Sequence, residues 1–287
     1  MGSAVLPDRG VIKLTGEDAG RFLQGLVTQD VGAAAGEAAG FAALLTPQGK
    51  IVADFFMIAL PETAGGGLVL DVPLPLAGDL TRKLTFYRLR AKVVIEDLSA
   101  SLGVTALWAG TPAPELSLAV ARDPRHAGLG WRAIGPRAEG HAADAAAYEA
   151  LRISLGIPEG GRDFAYGDAF PHEVDMDQLA GVAFDKGCFV GQEVVSRMQH
   201  RGTARTRIVP VAFDGAPPPA GTEVTAGDRP VGTMGSGLPG RGLAKLRLDR
   251  IADAMAAGEP LVAGGVVLTP VKPDWARFAW PGEAAAR

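Results

Sequence analysis

The chain has one cysteine in 287 residues, Cys188, which excludes an internal disulfide and also a four-thiolate zinc or iron–sulfur site built from this chain alone. Any cluster-related role must borrow ligands from outside. The N-terminus lacks a basic stretch followed by an apolar one, and no run of about 18 apolar residues could span a bilayer, so the expectation is a soluble, cytoplasmic protein without a membrane partner. Histidine is scarce. His126, His141, His172 and His200 show no close-spaced ligand pattern, only His172 has an acid nearby, and no stably bound metal is expected. A Gly-x-Ser-x-Gly elbow, the mark of many serine hydrolases, is missing as well. Positive charge is not in excess either: a formal net charge of −4 argues against strong direct binding of nucleic acid, which depends on neutralising phosphates.

The chain does hold enough apolar residues for real cores, 47% hydrophobic against 21% charged, at a length that makes two or three compact units. Residues 10–14 read as a strand, and Thr15-Gly16-Glu17-Asp18 has capping-box spacing ahead of a helix with Phe22, Leu23, Leu26 and Val27 on one face. Apolar runs at 41–45 and 51–60 flank Thr46-Pro47-Gln48-Gly49, a type I turn pattern that predicts a hairpin. A strand over 68–72, a helix over 76–89 and a strand over 91–96 follow, an order that predicts an α+β sandwich of ferredoxin-like type. Residues 141–155 predict another helix, stopped by Gly156 with Pro158 behind it, and residues 156–174 form a long polar loop of the kind that is often functional. From about 207 short β-type runs predict a small all-β domain. Its Gly-rich stretch 232–242 lacks the Gly-Lys-Ser/Thr ending of a phosphate loop and reads as β-turns. The expected organisation is a region 1–206, divisible into about 1–45 with 141–206 and 46–140, and a C-terminal domain 207–287.

The chemistry concentrates in Lys186-Gly187-Cys188-Phe189-Val190-Gly191-Gln192-Glu193. A free cysteine is commonly a small buried hydrophobe. Here Lys186 and the flanking glycines suit an exposed turn, and a neighbouring cation together with a helix start at Gly191 would lower the thiol pKa. Glu193 and Arg197 stand four apart on that helix, as an i,i+4 ion pair or with Glu193 facing the thiol or a ligand. Gln192 can donate and accept, toward a polar heterocycle or toward water. Two basic runs, Arg82, Lys83, Arg88, Arg90 and Lys92, and Arg197, His200, Arg201, Arg205 and Arg207, read as solvated faces or as anion sites.

The run 186–202, with Leu14–Asp30, Leu45–Ile51 and Gly156–Gly160 in the same order, resembles the YgfZ-type folate-binding proteins, relatives of the glycine-cleavage T-protein, an aminomethyltransferase. The resemblance implies a T-protein-like folate-binding fold of ferredoxin-like α+β units with a small C-terminal β-barrel. It implies tetrahydrofolate or a derivative as ligand, and a role in assembly or repair of iron–sulfur enzymes, tRNA methylthiolases among them, through Cys188. The resemblance leaves enzyme activity open: an accessory protein is the expectation, and, if the chain is an enzyme, a folate-dependent aminomethyltransferase or one-carbon transferase. Lys186 would act with Cys188, and Gly187, Phe189 and Gly191 complete the motif. Tyr148 falls where the family can place a pterin-stacking aromatic and Asp163 where the T-protein has an acid at the pterin edge, with Glu173 a third candidate from the same loop. Gln192, Glu193 and Arg197 are further candidates for the ligand, whose glutamate tail suits a basic run. Tyr148 as a packed helix residue and Asp163 as a loop cap are equally compatible with their types.

Two departures stand out. Arg9 occupies a position where related proteins can carry an aromatic that helps to sandwich the pterin. The consecutive acids of the T-protein, one of them catalytic, correspond to Gly49–Asp54, with Asp54 displaced by about one residue, and in a strand that changes the face. A folate-dependent aminomethyltransferase is therefore the alternative reading, and a folate-binding module with an incidental thiol is the third. Expected partners are folate and iron–sulfur client enzymes or assembly proteins, with the chain a monomer.

Overall fold

The computed structural model describes residues 2–138, 140, 142–202 and 204–283, and two compact units divide the chain: residues 1–149 with 180–192, and residues 150–179 with 193–287. In the first unit, β1 (Gly2–Leu6), β2 (Arg9–Thr15), α1 (Ala19–Gln24), β3 (Gly40–Leu45), β4 (Ile51–Ala59), β5 (Leu68–Pro73), α2 (Ala77–Arg88), β6 (Val94–Asp97), β7 (Leu102–Trp108), β8 (Ala119–Arg122) and β9 (Trp131–Pro136) build two antiparallel sheets. One runs β3-β4-β5-β2-β6 and the other β1-β7-β9-β8. Alternation along the first sheet sends Ile12, Leu14, Phe55, Met57, Leu70 and Val72 to one core with Leu23 of α1 and Leu80 and Leu84 of α2. The hairpin closes as its turn residues predict, with the Gly49 N–H donating to the Thr46 carbonyl at 2.8 Å.

The capping box does not form. Asp18 is the N-cap of α1 without a side-chain cap bond, because its carboxylate accepts from the Lys92 backbone N–H at 2.9 Å instead. The helix ends at Gln24, so Leu26 and Val27 reach the core from the segment behind it. The helix expected over 141–155 is α3 (Ala142–Ser154), and His141 lies outside the described residues.

The second unit takes over within α3 and again within α4 (Gln192–Arg201). It holds β10 (Thr206–Ala212), β11 (Glu223–Ala226), β12 (Arg229–Leu238), β13 (Arg241–Arg247), α5 (Leu248–Ala257), β14 (Leu261–Ala263) and β15 (Val266–Pro270). The strands close into a barrel in the order β10-β13-β12-β11-β14-β15, filled by Val209, Val211, Val224, Met234 and Leu246. The α+β architecture with a C-terminal barrel is thus the one expected. The Gly-rich stretch differs from expectation, being mostly strand: a Cβ at Gly232 would overlap the Lys245 carbonyl oxygen, so the glycine permits close strand approach rather than a turn. Residues 156–174 also differ. Ile157, Asp163, Phe164, Ala169 and His172 are buried, so the segment packs against its own unit instead of lying open.

Charge is buried in the first unit. Asp71 of β5 points away from α2 and accepts from Arg9 Nε at 2.6 Å and from Arg132 Nε of β9 at 2.5 Å, joining the two sheets. Arg132 also reaches Asp123 at 3.2 Å, and Arg125 pairs with Asp123 at 2.8 Å. The Arg9, Arg125 and Arg132 guanidiniums lie over the Phe56 ring at 5.7, 4.7 and 4.0 Å. Burial alone would push the Asp123 carboxyl up; Arg125 and Arg132 overcome it and hold the group below its ordinary value. Removing one partner of such a network strands the others without water, so Asp71→Ala should cost about 3–5 kcal/mol in urea unfolding. Leu116→Ser, on an exposed side chain, should change the same measurement by no more than about 0.5 kcal/mol.

Candidate functional site

Residues 180–192 return to the first unit and carry the cysteine on an anchored loop. The Thr28 hydroxyl donates to the Gly181 carbonyl at 2.6 Å and accepts from the Ala43 N–H at 2.8 Å, while the Ala183 N–H donates to the Thr28 carbonyl at 3.0 Å. Lys186 Nζ donates to the carbonyls of Gln24, Val27 and Gln29 at 2.8, 2.7 and 3.0 Å. Gly191 sits at φ +82°, and a Cβ there would come within 2.7 Å of the Thr46 carbonyl oxygen, so glycine alone lets the loop meet the hairpin turn. Phe189 is buried, its ring centroid 5.3 Å from the Lys186 ammonium. Between these anchors Cys188 is exposed. Nothing crowds Gly187, where an added Cβ would meet no atom within 4 Å.

This geometry corrects the reading of Lys186 as the activating neighbour of the thiol. Its ammonium is turned inward onto three carbonyls, and its work is to fix the loop. Burial pushes the group down to about 8, with the Asp30 carboxylate opposing. What the loop offers chemically is a single sulfur, held by a rigid base and open to solvent. Among the described residues no group of three or more His, Cys, Asp or Glu side chains could hold a metal ion.

The residues matched to folate are engaged elsewhere. Tyr148 is 5% exposed, packs on Trp108 at 5.9 Å between ring centroids, and its hydroxyl accepts from Arg132 at 3.1 Å. It has no free face for a pterin. Asp163, in the second unit, accepts through Oδ2 from Arg152 at 2.6 Å and the Glu159 N–H at 2.9 Å, and through Oδ1 from the Ser236 N–H at 2.7 Å. Glu173 accepts from the Phe170 N–H at 3.0 Å, capping the short turn Pro171–Val174. Arg9 belongs to the Asp71 network rather than to a stacking site. The residues present therefore do not fit the group in the roles assigned to them. Asp54 lies on β4 opposite Ala43, buried on the face that also carries Phe56.

Glu193 and Arg197 make the plain i,i+4 pair, 2.7 Å apart and exposed, and Gln192 opens the same helix. The second basic run is not one face: Arg207 is buried and pairs with Asp177 at 2.5 Å, while Arg205 points toward Asp249 at 3.8 Å. Sequence reasoning missed Thr28, Asp71 and Arg132. Thr28 lies inside a segment with family resemblance, yet its partners stand 15 and 153 residues away, a distance no local pattern reports.

Fold and barrel together define a class. The chain shares the fold of the glycine cleavage system aminomethyltransferase T from Bartonella henselae, with a TM-score of 0.73 over 97% of this chain and 87% of that one, at 16% identity. Residues 205–278 match the family described as the CAF17 C-terminal beta-barrel domain. The iron–sulfur cluster assembly factor IBA57, mitochondrial, of Mus musculus is 34% identical over 97% of this chain and 85% of that protein, and the human one is 33% identical over 96% and 84%. A homolog from Mycosarcoma maydis is 34% identical over 76% of the chain, which spans 59% of that longer protein. The chain belongs to the IBA57 family of iron–sulfur cluster assembly factors. Of the expected kinship, the T-protein-like fold and the CAF17 C-terminal barrel are what is shown. The cytoplasmic expectation is overturned: these relatives are mitochondrial proteins and point to that compartment, which an apparent lack of a leader pattern had no power to decide. No helix among the described residues is long and apolar enough to cross a membrane.

Lys186→Met should loosen the loop, leaving three carbonyls, that of Val27 buried and those of Gln24 and Gln29 half-buried, without their donor at about 1–3 kcal/mol and raising the rate at which a disulfide reagent modifies Cys188. The lysine's folded value lies below its unfolded one, so between about pH 8 and about pH 10.5 the folded chain has shed a proton that the unfolded chain keeps. Its contribution to stability therefore rises with pH across that window. Urea titrations of the wild type and Lys186→Met over this range should show the difference between them widening as pH increases.

Proposed function

We propose that this chain supports iron–sulfur cluster assembly or repair by lending the Cys188 thiolate as a transient ligand to iron, the remaining ligands coming from a partner protein or a small thiol. The observation that carries the reading is an exposed sulfur, the only cysteine of the chain, at the tip of a loop tied down by Thr28, Lys186 and Gly191. A fixed base with an open tip suits handover, because the ligand is presented without being enclosed. In the binding step the thiol loses its proton to water, and the sulfur lone pair displaces a ligand from iron with no change of oxidation state. One thiolate cannot retain a cluster by itself, which makes delivery rather than storage the natural task. Clients would be cluster-bearing enzymes, tRNA-modifying ones among them. Kinship with proteins named as cluster assembly factors supports the cargo.

Tetrahydrofolate carries no step in this proposal, since Tyr148, Asp163 and Glu173 are bonded within the protein. Aminomethyl transfer is not favoured either: likeness to the T-protein at 16% identity concerns the fold, and function resides in sites rather than in folds.

The test is complementation. In cells lacking their own family member, the activity of a [4Fe–4S] enzyme per unit of its protein should be restored by this chain and not by Cys188→Ala. Rescue by both would remove the thiol from the mechanism. Rescue by neither, with formation of methylenetetrahydrofolate by the purified chain, would favour the transferase.

A further inference from the structure

The C-terminal end of α2 brings apolar side chains and positive charge into water together. Leu80 and Leu84 turn one face of this helix to the core. At about 100° per residue Phe86 falls on the opposite face, one turn beyond Arg82 and Lys83, so those three side chains are surface neighbours. Phe86 is 78% exposed, and Leu89, which ends the helix, 86%. Leu89 also holds φ +47°, a strained conformation for a leucine, and strain at a large apolar side chain left in water points to a role outside the chain's own stability.

Five cations stand in the same stretch, Arg82, Lys83, Arg88, Arg90 and Lys92. Arg82 is paired with Asp79 and Lys92 with Glu17, whereas Lys83, Arg88 and Arg90 are exposed and have no carboxylate partner among the described residues. The acids of β6, on which α2 packs, do not cancel them. Ile95 and Asp97 stand opposite Leu14 and Ile12, which face the α2 core, so Glu96 projects from the other side of the sheet. Asp97 shares the helix side, but the chain reverses between Arg88 and Val94. That reversal sets the start of β6 beside the end of α2, and Asp97 back toward the first turns of the helix. Side chains as exposed as Phe86 and Leu89 stand clear of the surface instead of lining a groove, which suits entry into a fluid phase better than the clasp of a folded partner.

We propose that the end of α2, from Arg82 to Arg90, is a landing site for an anionic lipid bilayer. Phe86 and Leu89 enter the boundary between headgroups and acyl chains, and Lys83, Arg88 and Arg90 face the lipid phosphates. Lying on a bilayer differs from spanning it, and the absence of a membrane-crossing helix among the described residues has no bearing on it. Neither element suffices alone, because two apolar side chains bury little area and a few cations hold a protein only loosely. Together they make the two signals that stable surface attachment needs. The net charge of −4 on the whole chain does not forbid it, since charges more than about 8–10 Å from the lipid surface are screened at ordinary salt. Attachment here does not depend on the iron-handling role of Cys188.

The test is co-sedimentation of the full chain with vesicles of phosphatidylcholine and phosphatidylglycerol in equal parts, against vesicles of phosphatidylcholine alone. The mixed vesicles should bind at least about 10-fold more tightly, and less so as salt rises. Phe86→Ser combined with Leu89→Gly removes both apolar side chains and relaxes the positive φ; it should weaken binding about 10-fold or more without lowering the unfolding midpoint. Lys83→Glu combined with Arg90→Glu should weaken it as much. Cys188→Ala should bind like the wild type, so that failure of attachment and failure of the iron role are read separately. On that cysteine-free background, Leu89→Cys carrying a nitrobenzoxadiazole dye should brighten on the mixed vesicles as the position enters the bilayer. Equal binding to the two kinds of vesicle, unchanged affinity in either double variant, or a dye that stays dim would overturn the proposal. So would a dimer that the wild type forms and Phe86→Ser with Leu89→Gly does not, which would make the occupant a second copy of the chain.

Discussion

Asp71, without access to water, accepts from Arg9 in its own sheet and from Arg132 in the other, and the first unit is arranged around keeping those charges paired. An ionised carboxylate in such a place is tolerable only with its hydrogen bonds filled, and its two arginines need acceptors and flat surfaces in turn. Asp123, the Tyr148 hydroxyl and the Phe56 ring supply them. Three arginines lie over one phenylalanine, among buried apolar side chains such as Val11 and Val69. The consequence for function is direct: the position that resemblance would give to a pterin-stacking aromatic is a structural member of this network, because its hydroxyl is needed by Arg132.

The thiol loop follows the same logic on a smaller scale. Gln24, the last residue of α1, and Val27 and Gln29 between α1 and β3 present three carbonyls, and Lys186 satisfies them with one ammonium. A charge that looked, in sequence, like a partner for the neighbouring thiol is instead the nail that holds the loop. Order at the base and exposure at the tip are then two results of one contact.

Much of the fold was legible because it rests on local periodicity. The hairpin around Thr46–Gly49, the amphipathic α2 and the punctuated strands of the barrel all announce themselves in residue spacing, since alternation of two or of 3.6 positions is imposed by burial on one face. The thiol motif was legible for another reason: a lone cysteine between glycines has few packing explanations. What failed were assignments in which a side chain had competing partners. Asp18 had the spacing of a helix cap and was taken by the Lys92 amide; Asp163 had the position of a ligand acid and was taken by Arg152. Competition of this kind is decided by atoms far away in sequence.

By itself the sequence determined the class of fold, the extents of β2 to β6, α2 and α3 to within a few residues, and the single sulfur available for chemistry, because all three follow from composition and short-range pattern, whereas β1, β7 to β9 and α5 were not read from it. Only the tertiary structure decided that Lys186 is turned inward beneath an exposed Cys188, and that Tyr148 and Asp163 are held by arginines. Each of these depends on which of several possible partners reaches a group first, and that is set by long-range packing rather than by neighbours along the chain.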